Sequence, residues 1–321
     1  MNKFLKFNQL FDKAEEYFEK EAYSIALDFI NSALLIDIDI STKRLFEAYL
    51  LSGDIKIQME KFEDSITDFC KAIKIDPENP RGYSSRGFSK HLLDQHKYAI
   101  EDFDKVIELD PEDSDSWNYR GISKYELRQY DDAIKDFDQA IELDPEDSDS
   151  WKYIGISKYE LRQYNDAIKD FDQAILLNPN DSFSLGNRGL SKYFLNLLEE
   201  AIADLDIAIK LNPKDYICWS YRGKSKFFLI QYEEAITDLD IAIKLNPKDY
   251  KSLQFRGTCK YFLNQDEEAI KDYESVINFD PDNIIALTAI SYIKNFLGNQ
   301  ETKKKKILRF LKYLEDKHKF Q

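Results

Sequence analysis

A period of 34 residues runs through most of this chain and restricts the folds open to it. Residues 111–144 and 145–178 are near copies that differ at five positions. Prolines and glycines continue the same period on both sides. The prolines stand at positions 77, 111, 145, 179, 213, 247 and 281, and the glycines at 53, 87, 121, 155, 189, 223 and 257. Self-similarity of this kind is typical of short structural units that stack on their neighbours, so the sequence predicts a repeat array rather than one globule.

One unit, residues 114–147, shows the pattern of residue types that the others repeat. Its recurring positions are Trp117, Gly121, Tyr130, Ala133, Phe137, Ala140 and Pro145. A large residue, Gly, an aromatic residue, Ala, a second aromatic residue, Ala and Pro in this order resemble the tetratricopeptide repeat, and the resemblance covers residues 46–281. It implies an all-α chain, folded as a right-handed superhelical solenoid of stacked antiparallel helix pairs.

The period divides the chain into regions. Residues 1–45 contain a degenerate first helix pair, over 7–40, followed by a five-residue insert, Ser41–Leu45. Residues 46–283 hold seven consecutive units. These units begin at positions 46, 80, 114, 148, 182, 216 and 250.

The last region, residues 284–321, departs from the period and predicts a degenerate capping pair of helices over 284–297 and 300–319. A cap suits a solenoid, whose last unit otherwise leaves an apolar face open. Residues 301–321 carry 8 bases against 3 acids, or +5. This basic tail leaves open a second role, as an adaptor to nucleic acid or to an anionic membrane surface.

Within a unit, local chemistry predicts where helices pack and end. A glycine inside a helix costs about 1 kcal/mol relative to alanine, so its recurrence requires a close approach of two helices. We expect Gly121 to face Ala133 of its own unit. Pro145 ends the second helix at Asp144, because the residue before a proline avoids the helical region. The candidates to cap the next helix are Asp147, Ser148 and Ser150.

Charged residues recur in the same register. Arg120 and Lys124 stand four apart on the first helix of their unit, and Asp136 follows on the second. Like charges at this spacing repel unless an acid lies between them, so we infer an internal Arg–Asp–Lys ion-pair cluster, with an ionic ligand site as the alternative. Ile154 replaces the arginine in the next unit. The other equivalents are Arg86, Arg188, Arg222 and Arg256, with Lys56, Lys90, Lys158, Lys192, Lys226 and Lys260, and with Asp68, Asp102, Asp170, Asp204, Asp238 and Asp272.

Composition argues against several classes of function. The net charge is −15, and residues 101–150 hold 18 acids against 5 bases, which disfavours broad binding of nucleic-acid phosphates. No run of ~18 apolar residues predicts a transmembrane segment, and the N-terminal residues lack the apolar core of a signal peptide. Cys70, Cys218 and Cys259 have no paired spacing, so we expect reduced thiols and a cytoplasmic location.

Catalytic and cofactor sites find no support in the residues. The histidines, His91, His96 and His318, form no cluster with cysteines at metal-ligand spacing. Serines recur only because a whole unit recurs, and no His–Asp pair recurs with them. We therefore predict a protein that is not an enzyme, with no cofactor and no metal.

The resemblance places the first helices on a concave groove, where the second, fifth, ninth, twelfth and thirteenth residues of each unit contact a partner. In the middle units these positions include the acids Asp115, Glu126, Asp149 and Glu160. In the later units they include the apolar residues Phe183, Phe194, Ile217, Phe228 and Phe262. The twelfth residues form an aromatic column that either binds a partner or packs between neighbouring first helices. Its members are Tyr125, Tyr159, Tyr193, Phe227 and Tyr261.

The carboxylate clamp of this family, which holds the C-terminus of heat-shock chaperones with basic residues and asparagines on successive first helices, is not expected here. Lys152 and Asn187 fit single positions of that clamp, but Ile156 stands in place of an asparagine. Ile217 and Tyr221 occupy the basic positions, so no register is complete.

These patterns predict a protein-interaction scaffold that binds a peptide or a helical segment by shape in its groove. Acidic positions followed by apolar ones predict a partner with a basic end and an apolar end. Two alternatives stay open. One is the adaptor that acts through the basic C-terminal helix, and the other is a self-assembling structural array.

Overall fold

Helices account for all regular structure in the residues that this computed structural model describes, which are 3–36 and 41–296. The helices are α1 Lys3–Glu19, α2 Tyr23–Leu34, α3 Thr42–Gln58, α4 Phe62–Ile75, α5 Pro80–Leu92, α6 His96–Leu109, α7 Ser114–Glu126, α8 Tyr130–Leu143, α9 Ser148–Glu160, α10 Tyr164–Leu177, α11 Ser182–Phe194, α12 Leu198–Leu211, α13 Tyr216–Phe228, α14 Tyr232–Leu245, α15 Tyr250–Phe262, α16 Asp266–Phe279 and α17 Ile284–Phe296. The prediction of an all-α chain is confirmed.

The helices group into two compact units, a first unit that ends at Leu161 and a second unit that begins at Arg162. In the first unit each helix from α1 to α9 packs on the next, and α1 also contacts α3, α3 contacts α5, α5 contacts α7 and α7 contacts α9. In the second unit each helix from α10 to α17 packs on the next, and α11 contacts α13 and α13 contacts α15. The predicted stack of helix pairs is therefore confirmed within each unit. The first helices of neighbouring pairs contact each other along one side, which we call the inner face of that unit.

The boundary between the units falls inside the region 46–283 that the sequence divides evenly. It separates α9 from α10, which are the two helices of the repeat 148–181.

Packing inside a pair follows the recurring small and aromatic residues. Ala133, Phe137 and Ala140 on α8 are buried, as the apolar stripe predicts. The side chain nearest to Gly121 is Phe137, whereas at the equivalent Gly189 the expected alanine is also close, with the Ala201 carbonyl oxygen 3.3 Å from the position of an added Cβ. A Cβ added to Gly121 would lie 2.6 Å from the Phe137 ring, so the glycine makes room for that ring. At Gly189 the same Cβ would lie 2.9 Å from the Leu205 side chain.

The helix ends follow the capping residues of the sequence. Asp147 accepts hydrogen bonds from the backbone N–H groups of Asp149 and Ser150, at 2.9 and 3.2 Å, and so caps α9. Ser148 is the first residue of that helix rather than its cap. Asp144 has an extended backbone that ends α8 before the proline, as predicted.

Each helix pair turns on one residue in the left-handed region, with φ between 57° and 65°. These residues are Glu21, Glu60, Asp94, Arg128, Arg162, Asn196, Ile230 and Asn264. Asparagine tolerates this conformation, whereas a β-branched side chain is an outlier there. Ile230 therefore holds a strained backbone.

Both ends of the array differ from the regular repeats. Helices α1 and α2 pack against each other in the region where the sequence predicts a degenerate first pair. The insert Ser41–Leu45 is not a separate segment, because Ser41 caps α3 and that helix begins at Thr42, one turn before the regular position. Helix α17 occupies the first predicted C-terminal helix. The predicted helix over 300–319 and the basic tail lie outside the described residues.

Candidate functional site

The recurring charges form ion-pair clusters inside the helix pairs. Arg120 donates two hydrogen bonds to the buried carboxylate of Asp136, at 2.9 and 2.7 Å, and Lys124 lies 2.6 Å from the same carboxylate. The same arrangement occurs at Arg86, Arg188, Arg222 and Arg256, each with its own aspartate and lysine. The inferred Arg–Asp–Lys cluster is confirmed in these five repeats.

The arginines also connect successive repeats, which the sequence analysis did not anticipate. The Nη1 of Arg120 donates to Asp104 of the preceding repeat at 2.6 Å. Burial alone would lower the pKa of Arg120, but its hydrogen bonds to Asp136 and Asp104 raise it above the ordinary value. The equivalent pairs are Arg188–Asp172, Arg222–Asp206 and Arg256–Asp240. With its own aspartate and the preceding one bound, the guanidinium is already engaged, which favours the structural interpretation over an ionic ligand site.

Ile154 interrupts this series in the first unit. Its side chain is buried among Ile122, Ala133 and Phe137 and cannot donate a hydrogen bond. The preceding aspartate, Asp138, therefore receives no arginine from this position. Burial raises the pKa of Asp138, and the charge of Lys158 opposes that shift only in part.

The predicted acidic positions all lie in the first unit and are exposed. Asp115 and Glu126 are on α7, and Asp149 and Glu160 are on α9. Burial raises the pKa of Asp115, and the neighbouring Asp113 adds to the shift. These carboxylates therefore form a negative surface on the first helices of this unit.

A cleft of about 320 Å³ adjoins that surface at Asp115. Its lining includes Asp54 from α3, Phe88 from α5, Asp115 and Tyr119 from α7, and Phe18 from α1. Burial raises the pKa of Asp54 to about 6, and the charge of Arg81 opposes that shift. Asp54 is not among the residues predicted from the sequence, although it stands at the ninth position of its 34-residue repeat, where the resemblance expects a partner contact.

The predicted apolar positions lie in the second unit, and four of the five are exposed. Phe183, Phe194, Ile217 and Phe228 keep 50%, 43%, 39% and 51% of their surface exposed. Phe262 is buried and packs against Phe227 and Tyr232, so its assignment to the groove surface is wrong.

The aromatic column packs between first helices. Tyr125 contacts Tyr153 with ring centres 6.0 Å apart, and Tyr193 contacts Tyr221 at 5.0 Å. Two further contacts of this kind are Phe227–Phe255 and Tyr261–Tyr292, and Tyr261 is buried. Tyr125, Tyr159, Tyr193 and Phe227 keep part of their surface accessible. The column therefore serves packing first, and Tyr261 is withdrawn from the candidate surface.

Lys224 is a second residue that was not predicted from the sequence. It stands on α13, at the ninth position of the repeat 216–249. It is buried, and the equivalent positions in the repeats before and after it hold the uncharged Leu190 and Thr258. A charged residue between two uncharged ones at this position was the signal that the sequence offered.

Metal sites and membrane-spanning helices are both absent from the described part of the chain. Within residues 3–36 and 41–296, no group of three or more His, Cys, Asp or Glu side chains is arranged to hold a metal ion. No helix in that part of the chain is long and apolar enough to cross a membrane.

Comparison with protein families gives repeat models, and three of the matches coincide with 34-residue repeats of the sequence. Tetratricopeptide repeat models match residues 114–147, 148–181 and 250–283, and a related TPR model matches 53–94. A model of the protein prenyltransferase alpha subunit repeat matches residues 198–224. No curated protein sequence matches the chain.

Several solved structures resemble the chain in fold, and two of the three reported below are described as tetratricopeptide repeat proteins. YrrB, a TPR protein with an unusual peptide-binding site, is 23% identical with a TM-score of 0.51, over 58% of this chain and 95% of that one. The pilF protein of Pseudomonas aeruginosa is 18% identical with a TM-score of 0.61, over 68% and 100%. A tetratricopeptide repeat protein of Parabacteroides merdae is 17% identical with a TM-score of 0.59, over 79% and 99%.

Proposed function

Because this chain belongs to the tetratricopeptide repeat family, we propose that it is a non-enzymatic scaffold that binds a protein or peptide segment along its first helices. The fold supports an interaction scaffold, since stacked helix pairs present a long surface built from many equivalent positions. The candidate surface consists of two parts. An acidic surface lies in the first unit and an apolar surface lies in the second.

The exposure of Phe194 and Phe228 is the observation that carries this proposal. Both rings stand at the end of a first helix, on α11 and α13, and both contact the Tyr193 ring, at 5.3 and 6.1 Å between ring centres. An aromatic ring that keeps about half of its surface in water, while its neighbours are packed, offers apolar area to a partner. Buried aromatic anchors supply most of the affinity in many interfaces.

The acidic surface supports a partner with basic residues. Asp115 and Asp149 are exposed near the start of α7 and α9, and Glu126 and Glu160 are exposed at the ends of the same helices. The raised pKa of Asp54 in the adjacent cleft reflects a half-buried carboxylate, which a basic side chain would stabilise in its charged form. We expect these acids to set orientation and association rate more than affinity.

The expected partner therefore has a basic part for the first unit and an apolar part for the second. Its binding mode is that of an extended or helical segment laid along helices. The peptide-binding site of the structurally similar YrrB is consistent with a peptide ligand. A cytoplasmic partner belongs to the same proposal, because Cys218 and Cys259 are buried as free thiols and Cys70 is exposed as one.

The test is an affinity capture from the native cell with three baits. They are the wild-type chain, the variant Phe194→Ala with Phe228→Ala, and a control with Leu211→Ala and Leu245→Ala. The control residues are equally exposed leucines on the second helices α12 and α14. A partner that is captured by the wild type and the control, and lost with the first variant, supports the proposal. Capture that survives the loss of both phenylalanines contradicts it.

A further inference from the structure

Lys224 lies between the first helices α13 and α15 of the second unit with only 5% of its surface exposed. Lysine is almost never buried to this extent unless its ammonium is paired. No hydrogen bond or ion pair to Lys224 occurs within the described ranges 3–36 and 41–296. Its environment therefore differs from that of the lysines in the ion-pair clusters, such as Lys226, which binds Asp238 at 2.6 Å.

Two aromatic rings lie close to the ammonium. The Nζ of Lys224 lies 4.2 Å from the centre of the Tyr221 ring and 5.7 Å from that of the Phe255 ring. Ring faces attract a cation, but they do not replace the hydrogen bonds that an ammonium makes in water. Three N–H donors of Lys224 thus remain available to an acceptor.

The acid that acts on Lys224 through its charge does not meet this need. Asp249 acts on Lys224 through its charge, yet its carboxylate accepts hydrogen bonds from Ser252 Oγ at 2.5 Å, from the Ser252 N–H at 3.4 Å and from Ser220 Oγ at 3.3 Å. Burial lowers the pKa of Lys224 to about 8, with Asp249 opposing the shift and Lys251 adding to it. An acceptor from outside the chain would stabilise the charged form.

The surface around Lys224 is aromatic on both sides. Phe194 on α11 contacts Tyr221 with ring centres 5.8 Å apart, and Phe228 on α13 contacts Phe255 on α15 at 6.0 Å. Phe194 and Phe228 are the half-exposed rings of the candidate surface. A segment that crosses this surface therefore has apolar contacts before and after it passes Lys224.

We propose that Lys224 receives the carboxylate of an Asp or Glu side chain that the partner carries between apolar residues. This inference rests on the proposed function and specifies the chemistry of the partner's apolar part. An internal side chain is favoured over a chain end, because the apolar surface continues on both sides of Lys224. A charged hydrogen bond in such surroundings gives strong selectivity for an acid over its amide.

The test selects peptides on the full-length protein from two random libraries. In one library the peptides continue into the carrier protein at their C-terminal end, and in the other they end in a free carboxylate. The baits are the wild type, Lys224→Met and the control Lys251→Met, which removes an exposed lysine of the same unit. Wild type and control are expected to select internal Asp or Glu flanked by apolar residues from the first library, and Lys224→Met is expected to select apolar peptides without the acid.

A direct measurement completes the test. A selected peptide and its Glu-to-Gln counterpart should differ roughly tenfold in Kd on the wild type and by less than about twofold on Lys224→Met. Equal affinities of the two peptides for the wild type overturn the inference. Because this comparison needs only the wild type, it tests the inference even if Lys224→Met does not fold.

The outcomes of the peptide selection distinguish the inference about Lys224 from the proposed function. If the wild type selects apolar peptides without an acid, the role inferred for Lys224 is overturned and the proposed function is not affected. If acids are enriched only in the free-carboxylate library, Lys224 binds a chain end, and the inference of an internal Asp or Glu side chain is overturned. The absence of any apolar enrichment on all three baits contradicts the proposed function itself.

Discussion

The guanidinium of Arg120 holds the carboxylate of Asp136 with two hydrogen bonds, at 2.9 and 2.7 Å, across the two helices of one repeat. The same guanidinium reaches Asp104 of the preceding repeat, and Lys124 adds a second cation at Asp136. One arginine thus joins the helices of its own pair and joins that pair to its neighbour. The relationship recurs along the array and explains why the charges keep the 34-residue period.

Removal of the central carboxylate should destabilise the array. We expect Asp136→Ala to lower the free energy of unfolding by about 3 kcal/mol, because Arg120 and Lys124 then remain partly buried without their anion. The measurement is urea unfolding followed by circular dichroism. The control Asp132→Ala removes an exposed acid of the same helix that pairs with Lys135, and should change stability by less than about 0.5 kcal/mol. An unchanged midpoint for Asp136→Ala would show that the cluster is solvated.

Restoring the missing arginine at position 154 should be tolerated. In Ile154→Arg the guanidinium can reach Asp138, as Arg120 reaches Asp104, and stability should stay within about 1 kcal/mol of the wild type. The control Ile122→Arg buries an arginine in the same apolar cluster. Ile122→Arg should lower the free energy of unfolding by about 3 kcal/mol or more, because no carboxylate is placed to pair with an arginine at that position. Equal losses for the two variants would contradict the inferred pairing.

Much of this fold could be predicted from the sequence because the period itself encodes it. Proline and glycine set the helix ends and contacts, so the helix pairs, the cap at Asp147 and the Arg–Asp–Lys clusters follow from position alone. The glycine spacing shows that two helices approach each other, but not which side chain lies nearest to the glycine. At Gly121 the nearest side chain is the Phe137 ring.

The candidate site was less predictable, since it depends on how much of each ring its neighbours cover. Phe228 and Phe262 occupy the same position of successive units, yet the first is half exposed and the second is buried against Phe227 and Tyr232. Asp54 and Lys224 escaped notice because each is an isolated departure from its column. Their residue types could be read from the sequence, but the burial that makes them unusual is visible only in the structure.

The strained turn at Ile230 offers a prediction about stability alone. Ile230→Asn should stabilise the protein by about 1 kcal/mol, because asparagine tolerates the left-handed backbone that the turn requires. Asn196 and Asn264 already occupy the equivalent turns. The reverse change Asn196→Ile should destabilise by a similar amount. Thermal unfolding of both variants checks the pair, and a loss of stability in Ile230→Asn would contradict the assignment of strain.

The acidic surface should act on the rate of binding. With the captured partner, Asp115→Asn with Asp149→Asn should slow association by roughly three- to tenfold at low salt and flatten its dependence on salt, with little change in dissociation. Stopped-flow mixing at several ionic strengths measures this. The control Asp131→Asn with Glu142→Gln removes two exposed acids from the second helix α8. Equal effects of the two pairs would show that only net charge matters.

The most direct test of the scaffold measures partner affinity against the two exposed rings. Isothermal titration with the captured partner should show that Phe194→Ala with Phe228→Ala weakens binding at least 100-fold, which corresponds to about 3 kcal/mol. The helical circular dichroism signal should stay unchanged. The control Leu211→Ala with Leu245→Ala should bind like the wild type. Binding by the phenylalanine variant with undiminished affinity would contradict the assignment of the inner face as the partner surface.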